Sequence, residues 1–110
     1  MTLSQPILIM KERIDNIIKM EDHLNKLQEL VTEVEKMREK WAGAQIDFQE
    51  LISYYNSSVW RDDVEAYDQG TIPSDVRCGV LSEDAIYNLI VEQHSLAIQL
   101  IKTAANILDN

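Results

Sequence analysis

Three carboxylates spaced three residues apart, Asp62, Glu65 and Asp68, are the residues of this chain whose types and spacing suggest chemistry. On a helix this spacing places the three side chains along one edge, with Asp63 beside them. Hard cations such as Mg²⁺ and Ca²⁺ take several carboxylate oxygens as ligands. A divalent-metal-dependent enzyme that uses these carboxylates is therefore the alternative function. We favour the other interpretation, in which the edge is a solvated acidic surface or an anchor for Arg61 and Arg77.

Other residue types that carry catalysis are scarce and lack a catalytic setting. His23 and His94 are the two histidines, and Cys78 is the one cysteine. Neither histidine stands in a Glu-x-x-His or His-Glu-x-x-His pattern, and no phosphate-binding glycine loop, nucleophile elbow or zinc spacing occurs. We therefore predict a protein that is not an enzyme, with no catalytic residue, no metal site and no cofactor.

An aromatic residue and two arginines surround the acidic edge in sequence. Tryptophan, tyrosine and arginine dominate the energetics of protein interfaces, so Trp60 with the arginines suggests a docking surface. An alternative remains open, in which Trp60 and the nearby tyrosines seal the corner where a short helix folds back on longer ones. The predicted partner-binding residues are Trp60, Arg61, Asp62, Asp63, Glu65, Asp68 and Arg77.

The charge of the chain is strongly negative and unevenly distributed. The formal net charge is −9, of which residues 1–40 carry −1 and residues 41–110 carry −8. Binding to DNA depends on lysine and arginine side chains that neutralise phosphates, and this chain has no basic stripe. The same charge disfavours anionic membrane surfaces. We predict a protein partner with a basic surface, no nucleic acid and no membrane.

The expected location is the cytoplasm. The lone Cys78 cannot form an intramolecular disulfide, which fits a reducing compartment. The start of the sequence has no basic region followed by an apolar region, as a signal peptide would have. No run approaches the ~20 apolar residues that cross a bilayer.

The first half of the chain has the pattern of a long amphipathic helix. Apolar residues recur at spacings of three and four from Ile7 to Tyr55, as in a helix or a coiled-coil seam. Gly43, between two alanines, is the one plausible bend. Residues 5–55 are therefore either one helix or two helices with a kink near Gly43. We favour a nearly continuous helix, because no loop chemistry occurs before Asn56.

The second half reads as a short helix, a loop and a final helix. Residues 59–68 form the short helix, which Ser57 or Ser58 can cap and which Gly70 ends. Residues 71–79 form a loop that contains a proline. Ser82 has the chemistry of an N-cap for a last helix over residues 83–108.

The apolar arc of the last helix covers roughly 220° when the residues are projected at 100° per residue, wider than a surface helix needs. We expect this helix to return antiparallel to residues 30–55 and to touch two neighbours. The predicted fold is a single all-α domain over residues 1–110, a helical bundle or coiled-coil-like hairpin that forms a homodimer. A monomeric three-helix bundle is the alternative.

The motif run after residue 53 resembles a known family. It contains Tyr54-Tyr55, Trp60, an acidic run over 62–68, a Gly/Pro loop over 70–73 and the sequence Gly-Val-Leu-Ser-Glu-Asp over 79–84. These elements are similar to those of the bacterial "domain of unknown function 4298" family. The resemblance implies a helical architecture, and it implies no activity, substrate or catalytic residue.

Together these observations indicate a non-enzymatic acidic helical interaction protein. A small acidic chain that binds a basic surface suits an inhibitor, immunity or anti-defence type of protein, because complementary charge steers and orients association.

Overall fold

The structure, a computed structural model, describes residues 4–109 and is helical, with no strand in that range. Four α-helices and one 3₁₀ turn follow one another: α1 Ser4–Gly43, α2 Gln45–Tyr55, α3 Ser58–Asp68, the 3₁₀ turn Gly79–Leu81 and α4 Ala85–Leu108. The all-α prediction is confirmed, with its long N-terminal helix, short acidic helix and C-terminal helix.

By backbone proximity the chain divides into two compact units, Met1–Gln45 and Ile46–Asn110. The first unit contains α1 and the two residues after it, Ala44 and Gln45. The second unit contains most of α2, then α3, the 3₁₀ turn and α4. The assignment of residues 1–110 to a single domain stays a prediction.

The long N-terminal helix is interrupted at Ala44, so the structure has the kink near Gly43 that was the alternative to the favoured, nearly continuous helix. The Ala44 N–H still donates to the Lys40 carbonyl at 3.0 Å. The side-chain Nε2 of Gln45 donates to the Trp41 carbonyl, also at 3.0 Å, and a side chain inserted into the backbone ladder is a known cause of helix breaks. Gly43 weakens the helix at the same place by about 1 kcal/mol relative to alanine. These local effects explain why the break lies here.

Helix α1 buries almost none of its apolar residues. Every residue from Gln5 to Lys40 is exposed. Two surface ion pairs, Lys26–Asp22 at 3.0 Å and Arg38–Glu35 at 2.7 Å, are the salt bridges in the described residues, and such pairs stabilise a helix only slightly. Most helical stability comes from the packing of an apolar face, and the apolar residues of α1 contribute little of it within the chain. Its large exposed apolar residues are Ile7, Leu8, Ile9, Met10, Ile14, Ile17, Ile18, Met20, Leu24, Leu27, Leu30, Val31, Val34 and Met37.

Helix α3 is defined at both ends by local chemistry. At its start, the Ser57 side chain accepts a hydrogen bond from the Trp60 N–H. At its end, Gly70 has a φ of 76°, a left-handed conformation that glycine adopts without strain. The Thr71 N–H donates to the Ala66 carbonyl at 3.1 Å, which completes a Schellman motif. The predicted cap and the predicted stop at Gly70 are confirmed.

Helix α4 begins two residues later than predicted. The Ser82 hydroxyl accepts from the Ala85 N–H at 3.2 Å, so Ser82 has the predicted capping role, but regular helix begins at Ala85. The preceding 3₁₀ turn approaches both α3 and α4. Beside that turn Ile86 is 2% exposed, the one fully buried hydrophobic residue in the described part of the chain.

Membrane crossing has no support in these helices. Within residues 4–109 no helix combines the length and the apolar character that spanning a bilayer would require.

Candidate functional site: an aromatic corner and an acidic edge

The residues around Trp60 form what we call the aromatic corner, composed of Tyr54, Tyr55, Trp60, Asp63 and Val80. The indole Nε1–H of Trp60 donates to the Val80 carbonyl at 3.0 Å, which ties α3 to the 3₁₀ turn. The rings of Trp60 and Tyr55 meet edge to face with centroids 5.0 Å apart and an interplanar angle of 66°. This is a favourable geometry for an aromatic pair, and it connects α3 to α2.

A second bond closes the same corner. The Tyr54 hydroxyl donates to the Asp63 carboxylate at 2.6 Å, a charge-assisted hydrogen bond between α2 and α3. The carboxylate accepts a hydrogen bond from the neutral phenol, and partial burial disfavours the phenolate. The pKa of Tyr54 therefore rises to about 12. The corner is thus held in its geometry while Tyr54 is neutral.

Two of the predicted partner-binding residues, Trp60 and Asp63, therefore have contacts inside the chain. Both are half-buried, and each bonds to a group on another element. This supports the alternative that the aromatic residues seal a corner. A role for these two residues in binding a partner stays a prediction.

The remaining acidic residues of α3 face solvent and form what we call the acidic edge, Asp62, Glu65 and Asp68. Glu65 accepts a long hydrogen bond of 3.4 Å from the side chain of Gln69, the C-cap residue of α3. Asp62 and Asp68 lie one turn to either side of Glu65 on the same exposed face. The edge is an accessible row of negative charge.

The two arginines of the predicted surface, Arg61 and Arg77, are also exposed. The salt bridges between residues 4 and 109 both lie on α1, so neither arginine is paired with the acidic edge at salt-bridge distance. The idea that the edge serves to anchor these arginines has no support in this geometry.

The carboxylates of the acidic edge are not grouped around one point. Within the described range, no three His, Cys, Asp or Glu side chains are grouped so that they could hold a metal ion. A spacing of three residues places Asp62, Glu65 and Asp68 in a row along the helix, whereas hard-cation sites need ligands that converge on one point. No observation favours the metal-dependent enzyme.

Comparison with known families matches most of the chain to one family model. The model for "Domain of unknown function (DUF4298)" matches residues 17–103. The chain belongs to this family. The DUF4298 match begins in α1 and ends in α4, so it contains the helix break, the aromatic corner and the acidic edge. No curated protein and no solved structure gives a significant match.

Sequence reasoning missed the bonds that build the corner of this DUF4298 chain. Tyr54 and Asp63 are nine residues apart, and Trp60 and Val80 are twenty apart. The only available signal was the clustering of aromatic residues around the break at residues 56–58. That clustering suggested a corner, but it did not identify the hydrogen-bond partners.

Proposed function

We propose that this DUF4298 chain is a non-enzymatic, homodimeric interaction protein that presents its acidic edge to a basic surface of a protein partner. The observation that carries the proposal is the exposure of Asp62, Glu65 and Asp68 on a helix whose position is fixed by the aromatic corner. A rigid acidic surface loses little conformational freedom on binding, so more of the interaction energy appears as affinity.

The charge distribution supports the same surface. Residues 41–84 contain nine Asp or Glu and two arginines, whereas α4 contains one acidic and one basic residue. Negative potential is therefore concentrated around α3 and the loop that follows it. Such a patch accelerates encounter with a basic partner and disfavours acidic ones. In an inhibitor, immunity or anti-defence protein of the cytoplasm, this edge would cover a basic functional surface of the target.

The test is co-purification from a lysate of the native host, followed by affinity measurement with the captured partner. The test variant is Asp62→Asn, Glu65→Gln, Asp68→Asn. We expect the dissociation constant to rise by on the order of 10-fold to 100-fold, because three interfacial charges are removed. Wild-type binding should also weaken as salt increases.

A matched control removes three acidic charges from α1, as Asp15→Asn, Glu29→Gln, Glu33→Gln. Both triple variants have a net charge of −6 instead of −9. The control should bind like the wild type. If both triple variants bind equally well, or both lose the partner equally, the acidic edge is not the binding surface.

A further inference from the structure

Helix α4 has two adjacent apolar stripes, each with the alternating spacing of four and three residues that a neighbouring helix requires. They are offset by one residue and lie about 100° apart around the helix axis. The first stripe is Ile86, Ile90, Gln93, Ala97, Leu100, Ala104 and Ile107. The second stripe is Tyr87, Val91, His94, Ile98, Ile101, Ala105 and Leu108.

The first stripe is partly covered within the chain. Ile86 is fully buried, and Ile90, Gln93 and Ala97 are half-buried. The N-terminal half of the stripe is therefore partly buried within the chain, beginning beside the 3₁₀ turn.

The second stripe is exposed along its whole length. Ile98 at its centre is 41% exposed, Ile101 is 69% exposed and Leu108 is 82% exposed. All seven members face solvent, although six of them are apolar or aromatic. A continuous exposed apolar stripe of this kind marks an interaction surface.

The length of α4 suits an interface with one partner. At 1.5 Å per residue its 24 residues span about 36 Å. A standard interface covers about 800 Å² on each partner, and a stripe of this length can supply the apolar centre of such an interface.

The charge of α4 allows a second copy to occupy this stripe. Each copy has a net charge of −9, so two copies repel unless they meet at a neutral surface. Helix α4 is such a surface, because its two charged residues, Glu92 and Lys102, cancel. A basic partner gains nothing from this helix and would be drawn to the acidic edge instead.

We propose that the second stripe of α4 is the dimer interface, where α4 of one copy packs antiparallel on α4 of another with Ile98 at the two-fold axis. In this register His94 lies opposite Ile101 of the second copy, and Val91 lies opposite its Ala105. Glu92 then lies within one turn of Lys102 of the second copy, whereas a parallel pair would place like charges level with each other. The inference rests on the homodimer of the proposed function and identifies the surface that forms it.

Sedimentation equilibrium of Ile98→Glu and Gln99→Glu tests the interface. Both variants have a net charge of −10, but Gln99 lies on the polar face of α4. Wild type and Gln99→Glu should have twice the monomer mass of 12.7 kDa. Ile98→Glu should dissociate, with a dimer dissociation constant raised on the order of 100-fold, because a carboxylate then lies at the centre of an apolar interface.

The outcomes separate this inference from the proposed function. A monomeric wild type would contradict both the interface and the homodimer. A wild type and an Ile98→Glu variant that are equally dimeric would overturn the α4 interface alone. Binding of a poly-lysine peptide, which probes the acidic edge, should be the same for Ile98→Glu and wild type. If Ile98→Glu keeps its helical circular dichroism but no longer binds the peptide, the acidic edge and the second stripe of α4 are not separate surfaces. That result would contradict the proposal.

Disulfide trapping in a Cys78→Ser background tests the orientation. Under mild oxidation, a mixture of Val91→Cys and Ala105→Cys chains should form the mixed disulfide-linked dimer, since these positions face each other in the antiparallel register. Val91→Cys alone should stay unlinked. A Val91→Cys chain that links to itself would overturn the antiparallel arrangement in favour of a parallel one.

Discussion

In the aromatic corner, α2, α3 and the 3₁₀ turn bond to one another through named side chains, whereas α1 and α4 leave rows of aliphatic residues in water. The corner has the Tyr54–Asp63 bond, the Trp60–Val80 bond and the Tyr55–Trp60 ring contact. In the described part of α1 the salt bridges are two exposed ion pairs. The two regions therefore differ in how much of their side-chain surface is covered within the chain.

The difference indicates a division of roles within one small protein. A corner held by hydrogen bonds and aromatic packing keeps its geometry in a single chain, so it can present a fixed surface. Helices with exposed apolar stripes gain most of their stability only when another helix covers them. We therefore expect substitutions in the corner to change stability at any protein concentration, and substitutions in the stripe of α4 to act through association.

The largest effect in the corner should come from Trp60→Ala. It removes the ring contact with Tyr55 and the bond to the Val80 carbonyl. The free energy of unfolding should fall by about 3 kcal/mol. This value is at the lower end of the range for tryptophan-to-alanine substitutions, because the Trp60 side chain is only half-buried. Urea denaturation followed by circular dichroism measures this. Trp60→Phe keeps the ring contact and should lose only about 1 kcal/mol. Trp60→Ala with wild-type stability would show that the corner is not what holds α3.

The next effect should come from Tyr54→Phe, which deletes the bond to Asp63. We expect a loss of about 1.5 kcal/mol, as for a partly exposed hydrogen bond to a charged group. The folded pKa of Tyr54 is raised to about 12, above the unfolded value of 10.0. The stabilisation is therefore complete below pH 10 and is lost as pH rises from 10 towards 12.

Thermal unfolding of wild type and Tyr54→Phe across this pH range checks whether the stabilisation by Tyr54 falls as pH rises. The difference in melting temperature between the two proteins should shrink as pH rises from 10 to 12. A difference that stays constant or grows over this interval would contradict the role of the Tyr54 hydroxyl as donor.

A smaller effect should come from Ser57→Ala. The Ser57 hydroxyl accepts from the Trp60 N–H and donates to the Tyr54 carbonyl at 2.6 Å. Loss of this cap should cost about 1 kcal/mol. Ser58→Ala is the matched control, since Ser58 is exposed and is the first residue of α3. Equal stability of the two variants, measured by urea denaturation, would show that the cap at Ser57 contributes nothing.

Local sequence signals predicted much of this fold. The cap at Ser57, the stop at Gly70 and the capping role of Ser82 each depend on a few adjacent residues. The break next to Gly43 was only the alternative to a nearly continuous helix, because one glycine between two alanines is a weak signal. The start of α4 was placed two residues too early, because the 3₁₀ turn and the two residues after Ser82 take a turn geometry before the regular helix begins. Such details depend on contacts with α3, which spacing does not reveal.

The candidate site was less predictable than the fold. The exposure of Asp62, Glu65 and Asp68 follows from helical periodicity, and the structure has them on the surface as expected. The involvement of Trp60 and Asp63 in the corner did not follow, because their partners are distant in sequence. A tryptophan that binds a partner and one that packs internally have the same local sequence, and only tertiary contacts separate them.

Hydrogen–deuterium exchange at two protein concentrations tests the central claim that the α4 stripe is covered by a second copy while the corner is held within one chain. Comparing roughly 1 µM with roughly 100 µM protein, we expect amides from Val91 to Ile101 to become more protected at the higher concentration. Amides of α3 and the 3₁₀ turn should gain less protection between the two concentrations. Exchange in α4 that is the same at both concentrations, in a range where sedimentation shows both monomer and dimer, would contradict this account.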